Sequence, residues 1–381
     1  MRDHLSGKSA SSPRMPTPAG SDSLAAPDAR ALVMAYGWNA TAYQILNPGI
    51  DHWFDRSAPA VVGYIRRRNV MLAAGAPICP AAALPAVIRA FEDFAAARGC
   101  RVCYVCAAER LRGLLANSGR HAAIVIGAQP VWDPARWAPA LMAHRSLRAQ
   151  LNRARNKGVR IETLAPPRGR EEPELAGVLE RWLESRLMPP LHFLVEPHTL
   201  AGEVADRVVL VARRDTQAVA FLVASPAPAR NGYLIEQVAR DPHAPNGVSE
   251  LLIDAAMRQF AGEGRAYVTL GLVALSTYAP LEANPAWLRL LMLFARAHAN
   301  RFYNFRGLER FRAKLAPDRW EPIHAISNEA RFSIGTLYAI GEAFSGIPPW
   351  RAVSRAALRA LRLEARHVRR YLAKRRRGAS A

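Results

Sequence analysis

The sequence predicts an α/β (α+β) fold in which two units repeat one order of secondary structure. Short β-branched runs in which apolar and polar residues alternate are typical of strands. Between these runs, apolar residues recur three and four positions apart, which is typical of helices packed on a sheet. Each half shows two or three antiparallel strands, a helix, a strand, a helix and a strand.

The first half begins at residue 29. Its predicted elements are strands at 61–65 and 70–74, a helix at 84–98, a strand at 100–106, a short helix at 109–117, and strands at 122–126 and around 131. The long helix carries its apolar residues on one stripe, and Gly99 ends it. In the strand that follows, alternation predicts Cys100 and Cys106 on one face and Cys103 on the other. The thiols then do not converge, and the sequence predicts no metal site.

The second half begins with a helical connector at 137–157 that has a basic face. Its further predicted elements are a strand at 159–164, a helix at 172–186, strands at 208–212, 218–224 and 233–238, a helix at 247–260, a strand at 267–272, a helix at 285–299 and a final strand at 322–326. Turn residues link the strand at 233–238 to the helix after it. Such a turn aims backbone N–H groups and the positive helix end at one point, which suits an anion or a developing oxyanion.

Four segments follow from these patterns. They are a Ser-, Pro- and Gly-rich tail at 1–28 that we expect to be disordered, a first unit at 29–140, a second, catalytic unit at 141–345, and a basic helix at 346–381. No apolar run is long enough to span a bilayer, and the N-terminus lacks the apolar core of a signal peptide. We therefore expect a cytoplasmic protein, with a peripheral position on the inner membrane face as an option.

The formal charge of +21 indicates a phosphate-bearing partner, either nucleic acid or an anionic membrane. An Arg-rich proteome is the alternative cause. The charge is densest in the C-terminal helix, whose candidates for binding tRNA or phosphate are Arg362, Arg366, Arg369 and Arg370. A solvated charged helix would have the same composition.

The repeated order of elements is the plan of a GNAT-type acyltransferase domain, present twice. Spaced motifs add to it: YGWNATAY at 36–43, LRAQLNR at 147–153, WL at 182–183, RDPHAPNG at 240–247, LGLVALS at 270–276, and YNFRGL at 303–308 followed by Lys314, Trp320 and Glu321. In this order they resemble the C-terminal synthase domain of phosphatidylglycerol lysyltransferases and their alanyl counterparts, which is a tandem GNAT fold. Each domain of that fold is a mixed, mostly antiparallel sheet flanked by helices.

The resemblance implies transfer of an aminoacyl group from aminoacyl-tRNA to a hydroxyl of a polar lipid such as phosphatidylglycerol. It implies a cleft where the strand before the central helix diverges from the next strand, and a tunnel that the two substrates enter from opposite sides. Since the aminoacyl ester is already activated, we expect no cofactor beyond aminoacyl-tRNA as co-substrate. The partners would be aminoacyl-tRNA and an anionic phospholipid at the membrane surface. The flippase region that precedes this domain in lysyltransferases has no counterpart here, so we expect a peripheral synthase or a relative with another acceptor.

The motifs and the strand–turn–helix stretch indicate the site residues. The catalytic candidates are Glu236, Arg240 and Ser276, and the substrate-binding candidates are Gln237, Asp241, Asn246, Gly247, Arg306 and Lys314. Family members often carry an acidic residue where Gln237 stands. Glu236, one residue earlier, would face the other side of a regular strand.

Each candidate has a structural alternative. Glu236 either binds the donor's α-amino group, acts as a base, or is a paired strand carboxylate. Arg240 either holds a phosphate or pairs with Asp241 or Glu250. Asn246 and Gly247 suit a plain turn and helix start equally well, and Ser276 suits a turn cap. Arg306 and Lys314 either contact phosphate or lie on a solvated face.

Three functions compete. The first is the tRNA-dependent aminoacyl-lipid synthase. The second is an acyl-CoA-dependent GNAT enzyme, which would need a Gly-rich pyrophosphate loop where this chain has only Asn246-Gly247. The third is a non-catalytic basic module that binds RNA or membrane.

Overall fold

The computed structural model of the chain describes residues 28–165, 172–186, 191–201, 205–298 and 305–348, together with Arg351 and Ser354. Except for Asp28, the tail predicted at 1–28 lies outside these residues. So does most of the basic helix predicted at 346–381, including Arg362, Arg366, Arg369 and Arg370.

The elements of the first half are α1 (Ala29–Tyr36), β1 (Asp51–Phe54), β2 (Val61–Arg67), β3 (Val70–Ala74), α2 (Leu84–Ala96), β4 (Arg101–Ala108), α3 (Glu109–Leu115) and β5 (Ala122–Trp132). Those that follow are α4 (Trp137–Ala143), α5 (Arg145–Asn156), β6 (Val159–Leu164), α6 (Pro173–Glu184), β7 (Val208–Arg214), β8 (Gln217–Ala227), β9 (Gly232–Arg240), α7 (Val248–Gly262), β10 (Tyr267–Thr269), β11 (Val273–Ala274), α8 (Ala286–His298), α9 (Phe305–Lys314), β12 (Arg319–Ser327) and α10 (Ile334–Ser345). Among the described residues, no helix combines the length and the hydropathy that crossing a bilayer requires.

The strands form one twelve-stranded sheet that runs through both halves. Its order is β1-β2-β3-β4-β12-β5-β10-β9-β8-β7-β6, and β11 pairs with β5. Two pairs are parallel, β3 with β4 and β9 with β10, while the others are antiparallel.

Each parallel pair encloses a helix, α2 in the first half and α7 in the second. This arrangement confirms the predicted mixed, mostly antiparallel fold with two GNAT-like β–α–β units. β9 and β10 pair only over Gly232–Leu234 and Tyr267–Thr269, and then they separate. The strand predicted at 267–272 is correspondingly short, and a turn with Gly271 at φ +73° follows it.

Strand β12 lies between β4 and β5 of the first half, although it comes about 190 residues after β5. Its residues suit a central strand because both of its faces are covered. Ile323 and Ala325 pack on one face, and Ile326 packs on the other with α2. The two halves therefore share one sheet, and the boundary at 140/141 stays a prediction.

The connector predicted as one helix at 137–157 is two helices. His144, at φ −103° and ψ 87°, breaks it between α4 and α5. Leu147, Leu151 and Ala154 of α5 are buried with the apolar residues of α7. Since they recur at helical spacing, the periodicity located α5 but could not reveal the break before it.

The prediction that Cys100 and Cys106 share one face of β4, with Cys103 on the other, is wrong. Cys103 and Cys106 belong to one core cluster and Cys100 to another. Cys106 has φ +60°, and the pairing of β4 with β12 shifts by one residue there. This bulge interrupts the alternation on which the prediction relied. Within the described part of the chain, no cluster of His, Cys, Asp or Glu has the arrangement of a metal site.

Candidate active site at the junction of the two halves

Strand β9 carries a β-bulge at Glu236. β8 pairs with Ile235 and next with Gln237, so Glu236 is the extra residue. Ile235 and Val238, three positions apart, both pack on the α7 side of the sheet. Glu236 and Gln237 therefore both leave β9 on the face away from α7. The face reversal predicted between them is wrong, because it assumed a regular strand.

Glu236 is a buried carboxylate whose two oxygens both accept hydrogen bonds. Arg207 Nε donates to one oxygen over 2.6 Å, and Gln44 Nε2 donates to the other over 2.8 Å. Gln44 Nε2 also donates to Ser225 Oγ over 2.7 Å, and Arg207 Nη2 donates to Asn47 Oδ1 over 2.8 Å. This network joins the 3-10 turn Tyr43–Leu46 of the first half to strands of the second. Glu236 is thus a paired carboxylate here, and its role as a base stays a prediction.

Gln237 is buried, and its amide has a protein partner at each end. Thr199 Oγ1 donates to its oxygen over 2.6 Å, and its Nε2 donates to the Pro197 carbonyl over 2.8 Å. Gln237 therefore fastens the segment at 197–199 to β9.

Arg240 and Asp241, at the end of β9, do not pair with each other. Arg181 Nε binds Asp241 over 2.5 Å, and the His243 N–H donates to the same carboxylate. Burial acts to raise the pKa of Asp241, but these two donors outweigh it, and the pKa lies below its usual value. Glu250, the other pairing partner considered for Arg240, binds Lys314 Nζ over 3.0 Å. The Arg240 guanidinium has no ion pair with the described residues.

Gly247 directly precedes α7 at φ +93°. A Cβ there would lie 2.1 Å from the backbone oxygen of Gln150, so α5 and the start of α7 touch only because this residue is glycine. Asn246 beside it is exposed. Glu250 lies in the first turn of α7, and Lys314 Nζ of α9 donates to its carboxylate. Gly247 and Asn246 therefore lie at the start of α7, as the sequence predicts, and Lys314 reaches the same helix end by binding the Glu250 carboxylate.

Ser276 is fully buried, and its Oγ accepts the Tyr278 N–H over 3.2 Å as a turn cap. Glu309 of α9 accepts the Thr277 N–H over 2.7 Å and pairs with Arg296 over 2.9 Å. Burial acts to raise the pKa of Glu309. The hydrogen bonds from Arg296 and the Thr277 N–H outweigh burial, so the pKa lies below its usual value. Ser276 thus belongs to a network that fixes the turn on α9, apart from Glu236. Arg306 is exposed on the same helix.

A cleft at the junction of the two halves is lined by residues from five separate segments, among them Asn39, Thr41, Cys106, Gln129, Leu272 and Ile323. Asn39 Nδ2 and Thr41 Oγ1 are buried without a hydrogen-bond partner in the described structure, as is Gln44 Oε1 in the next turn. Buried polar atoms are normally paired. Three such atoms in one short segment indicate a place where a ligand or water supplies the partner.

Backbone irregularities concentrate around this cleft. The β4–β12 and β12–β5 pairings both shift at or beside His324, and Cys106 holds its positive φ there. Bulges are common beside active sites because they redirect side chains. Burial raises the pKa of the Cys106 thiol to about 12, so the thiol stays protonated at neutral pH and is a poor nucleophile.

A second cleft adjoins the first, and Asn39 lines both. At its rim the half-exposed Trp38 ring has Arg110 at 4.8 Å and Arg230 at 5.5 Å from its centre. Arg230 forms a two-pronged ion pair with Glu321, over 2.8 and 2.7 Å. Arg110 is exposed and has no ion pair with the described residues, so a guanidinium without a counter-ion lies over the indole ring.

Residues 30–326 match the protein family described as "Phosphatidylglycerol lysyltransferase, C-terminal". The chain belongs to this family. A phosphatidylglycerol lysyltransferase of Staphylococcus epidermidis is 22% identical over 294 residues, which are 77% of this chain and 34% of that protein. One of Staphylococcus aureus is 21% identical over 296 residues, 77% and 35% of the respective chains. The chain thus spans about a third of the length of these relatives.

Two solved structures share the fold. The C-terminal domain of a putative lysylphosphatidylglycerol synthetase from Agrobacterium fabrum is 21% identical, with a TM-score of 0.68, over 84% of this chain and 96% of that one. L-PGS from Bacillus licheniformis is 19% identical, also with a TM-score of 0.68, over 84% and 98%. They confirm the tandem GNAT-like fold that the element order and the motifs predict.

Several residues of the junction cleft were missed as site candidates. Asn39 and Thr41 lie in the family motif at 36–43, so the motif was the signal that could have indicated them. Gln129 lies in an apolar strand region, and Arg207 of the neighbouring Glu236 network lies just before β7; neither has a motif around it. Their placement depends on pairing between distant strands, which local patterns do not contain.

Proposed function

We propose that this chain transfers an aminoacyl group from aminoacyl-tRNA to a hydroxyl of a polar lipid, with phosphatidylglycerol as the first acceptor to test. Family membership supports the class of reaction. The observation that carries the proposal is the junction cleft, with unpaired buried atoms on Asn39 and Thr41 in its lining and on Gln44 in the next turn.

The unpaired atoms suit an aminoacyl ester. Asn39 Nδ2 is a donor, which fits the ester carbonyl oxygen and the negative charge that develops on it. Gln44 Oε1 is an acceptor, and Thr41 Oγ1 both donates and accepts, which fits the donor's α-amino group. Because Gln44 Nε2 already donates to Glu236 and Ser225, its oxygen is held in one orientation. We therefore assign Glu236 to positioning Gln44.

The reaction is an ester exchange. The lipid hydroxyl oxygen forms a bond to the aminoacyl carbonyl carbon, the bond from that carbon to the tRNA ribose oxygen breaks, and the hydroxyl proton goes to the ribose oxygen. The ester is already activated, so holding the two substrates together supplies much of the rate. The proposal needs no cofactor beyond aminoacyl-tRNA.

Arg240 and Arg110 are our candidates for substrate phosphates, since neither has an ion pair within the described residues. Trp38 offers a stacking surface for a terminal base of the tRNA. Ser276 is assigned to positioning the turn at 275–278. Arg362, Arg366, Arg369 and Arg370 remain candidates for contacts to tRNA phosphates.

The acyl-CoA alternative would place a pyrophosphate at the start of a central helix. At the start of α7, the backbone of α5 lies against Gly247 and occupies the space beside it. The negatively charged Glu250 side chain lies in the first turn of the same helix. At α2, Pro85 removes one of the N–H donors in the first turn. Both helix starts are therefore poorly suited to a pyrophosphate.

The test uses the full chain, total tRNA charged with radiolabelled amino acids, and vesicles with and without phosphatidylglycerol. The expected result is labelled lipid that forms with intact charged tRNA and does not form when the tRNA is digested with RNase beforehand. Replacing Asn39 with alanine removes the proposed oxyanion donor and should lower kcat by about 10²–10³-fold. Thr163→Val, which alters an exposed threonine on β6, is the control and should retain activity. Transfer from acyl-CoA but not from tRNA would instead establish the alternative, and tRNA binding without any product would indicate a non-catalytic module.

A further inference from the structure

Helix α8 exposes an apolar face that the described residues do not cover. Leu290 is 68% exposed and Leu293 65%, and Trp287 and Leu291 beside them are also exposed. Large apolar side chains adjacent on one helix and open to solvent mark an interaction surface.

The opposite side of α8 is firmly anchored. Leu288 and Met292 are buried in the core cluster of the first half. Just before the helix, Asn284 holds the backbone of Val125 on β5 at both its N–H and its C=O, over 2.7 and 2.8 Å. The exposed face is therefore the outer side of a fixed helix.

Charge decides which partner suits this face. α8 contains no acidic residue, and Arg289 lies exposed among the apolar side chains. The Arg296–Glu309 pair links α8 to α9, where Arg310 is exposed as well. A second copy of the chain would set one basic face against another, whereas an anionic lipid surface complements both the apolar and the basic groups.

The position of α8 relative to the junction cleft is also informative. Leu272 lines the cleft, and Leu275 packs in the same cluster as Leu288 and Met292 of α8. Arg296 of α8 donates to the carbonyl oxygen of Leu275. The short segment from 272 to 275 thus connects the cleft wall directly to α8.

We propose that α8 is a membrane-docking helix, which lies in the headgroup region of an anionic bilayer and brings the junction cleft to the lipid surface. The docking itself stands on the exposed face, while the delivery of the acceptor lipid rests on the proposed function. Interfacial helices bind through apolar burial combined with attraction of basic residues to anionic lipids.

Vesicle cosedimentation of the full chain tests the docking without any catalysis. Binding should be stronger to vesicles that contain phosphatidylglycerol than to pure phosphatidylcholine. The double variant Leu290→Ser/Leu293→Ser should bind at least about tenfold more weakly, because two large apolar side chains no longer insert. The matched control is Met142→Ser/Ile334→Ser, which changes residues that are 69% and 71% exposed elsewhere, and it should bind like the unmodified chain.

Trp287 provides a direct probe. Brominated phosphatidylglycerol should quench part of the tryptophan fluorescence, and Trp287→Phe should abolish that part. Equal vesicle binding by both double variants would overturn the proposal. So would a dimer that the α8 variant dissociates, or binding that is lost only when Arg362, Arg366, Arg369 and Arg370 are replaced.

The failure of docking and the failure of the proposed function give different results. If docking is right, the α8 variant loses transfer to vesicles but retains transfer to a dispersed short-chain phosphatidylglycerol. If transfer itself is absent, vesicle binding and quenching remain measurable and still decide the role of α8.

Discussion

Replacing Thr41 with valine should stabilise the protein while weakening its activity. The substitution exchanges the Oγ1 hydroxyl for a methyl group of similar size. Since Oγ1 is buried without a partner in the described structure, the folded state bears its desolvation cost, which is about 1–3 kcal/mol for such a group. We expect the free energy of unfolding to rise by about 1 kcal/mol in urea titrations. Aminoacyl transfer should fall because the protein loses a hydroxyl that would hydrogen-bond the aminoacyl donor.

Thr336 provides the matched control. It is also buried, but its Oγ1 donates to Glu329 over 2.6 Å and accepts from Ser333 Oγ over 3.1 Å. Thr336→Val breaks both bonds and should lower the free energy of unfolding by about 1–3 kcal/mol, with activity per folded molecule unchanged. If Thr41→Val destabilises the protein as much as Thr336→Val does, the Thr41 hydroxyl has an internal partner and the reasoning about the cleft is refuted.

Three further predictions concern the scaffold. Arg207→Met leaves the charge of the buried Glu236 carboxylate without its cationic partner and should lower the free energy of unfolding by about 3–5 kcal/mol. Adding Glu236→Gln should recover much of that loss, whereas losses that simply add would contradict the coupling of the two residues. Burial lowers the pKa of His324 below its usual 6.5, although the Glu109 contact opposes this. As the pH drops below about 6.5, the histidine is protonated in the unfolded state before it is protonated in the folded state, so the free energy of unfolding falls. His324→Gln should flatten that slope in urea titrations at several pH values, and an unchanged slope would assign it to other groups. Gly247→Ala should cost more than about 1 kcal/mol because of the positive φ and the nearby carbonyl, whereas Gly262→Ala, in an open helical position, should not destabilise; thermal unfolding compares the two.

The sequence predicted most elements because their periodicity is local. The stretch around α7 shows this well, since a strand, a turn and an amphipathic helix follow one another within about 30 residues. The break at His144 left no mark on the apolar pattern, and neither did the bulges at Cys106 and Glu236. Bulges are decided by pairing with a neighbouring strand, so alternation along one strand cannot locate them.

The candidate site was only partly predictable for a related reason. The strand–turn–helix motif placed Asn246 and Gly247 at the start of α7, but no pattern in the sequence predicted that Lys314 of α9 would bind Glu250 there. The junction cleft combines segments around residues 39, 106, 129, 272 and 323, which meet only once the shared sheet has formed. The position of β12 between β4 and β5 brings Ile323 there, and no local pattern encodes it.

That position of β12 also constrains how the chain is made. During synthesis β4 and β5 leave the ribosome long before residue 319, and their common neighbour does not yet exist. Until then the edges of β4 and β5 that face β12 in the folded protein stay unpaired, and unpaired strand edges can pair with other chains. A gene cut at the apparent boundary near residue 140 would make this exposed state permanent. The two halves are thus expected to be inherited, expressed and engineered as one cooperative piece, whatever the repeat in their secondary structure suggests.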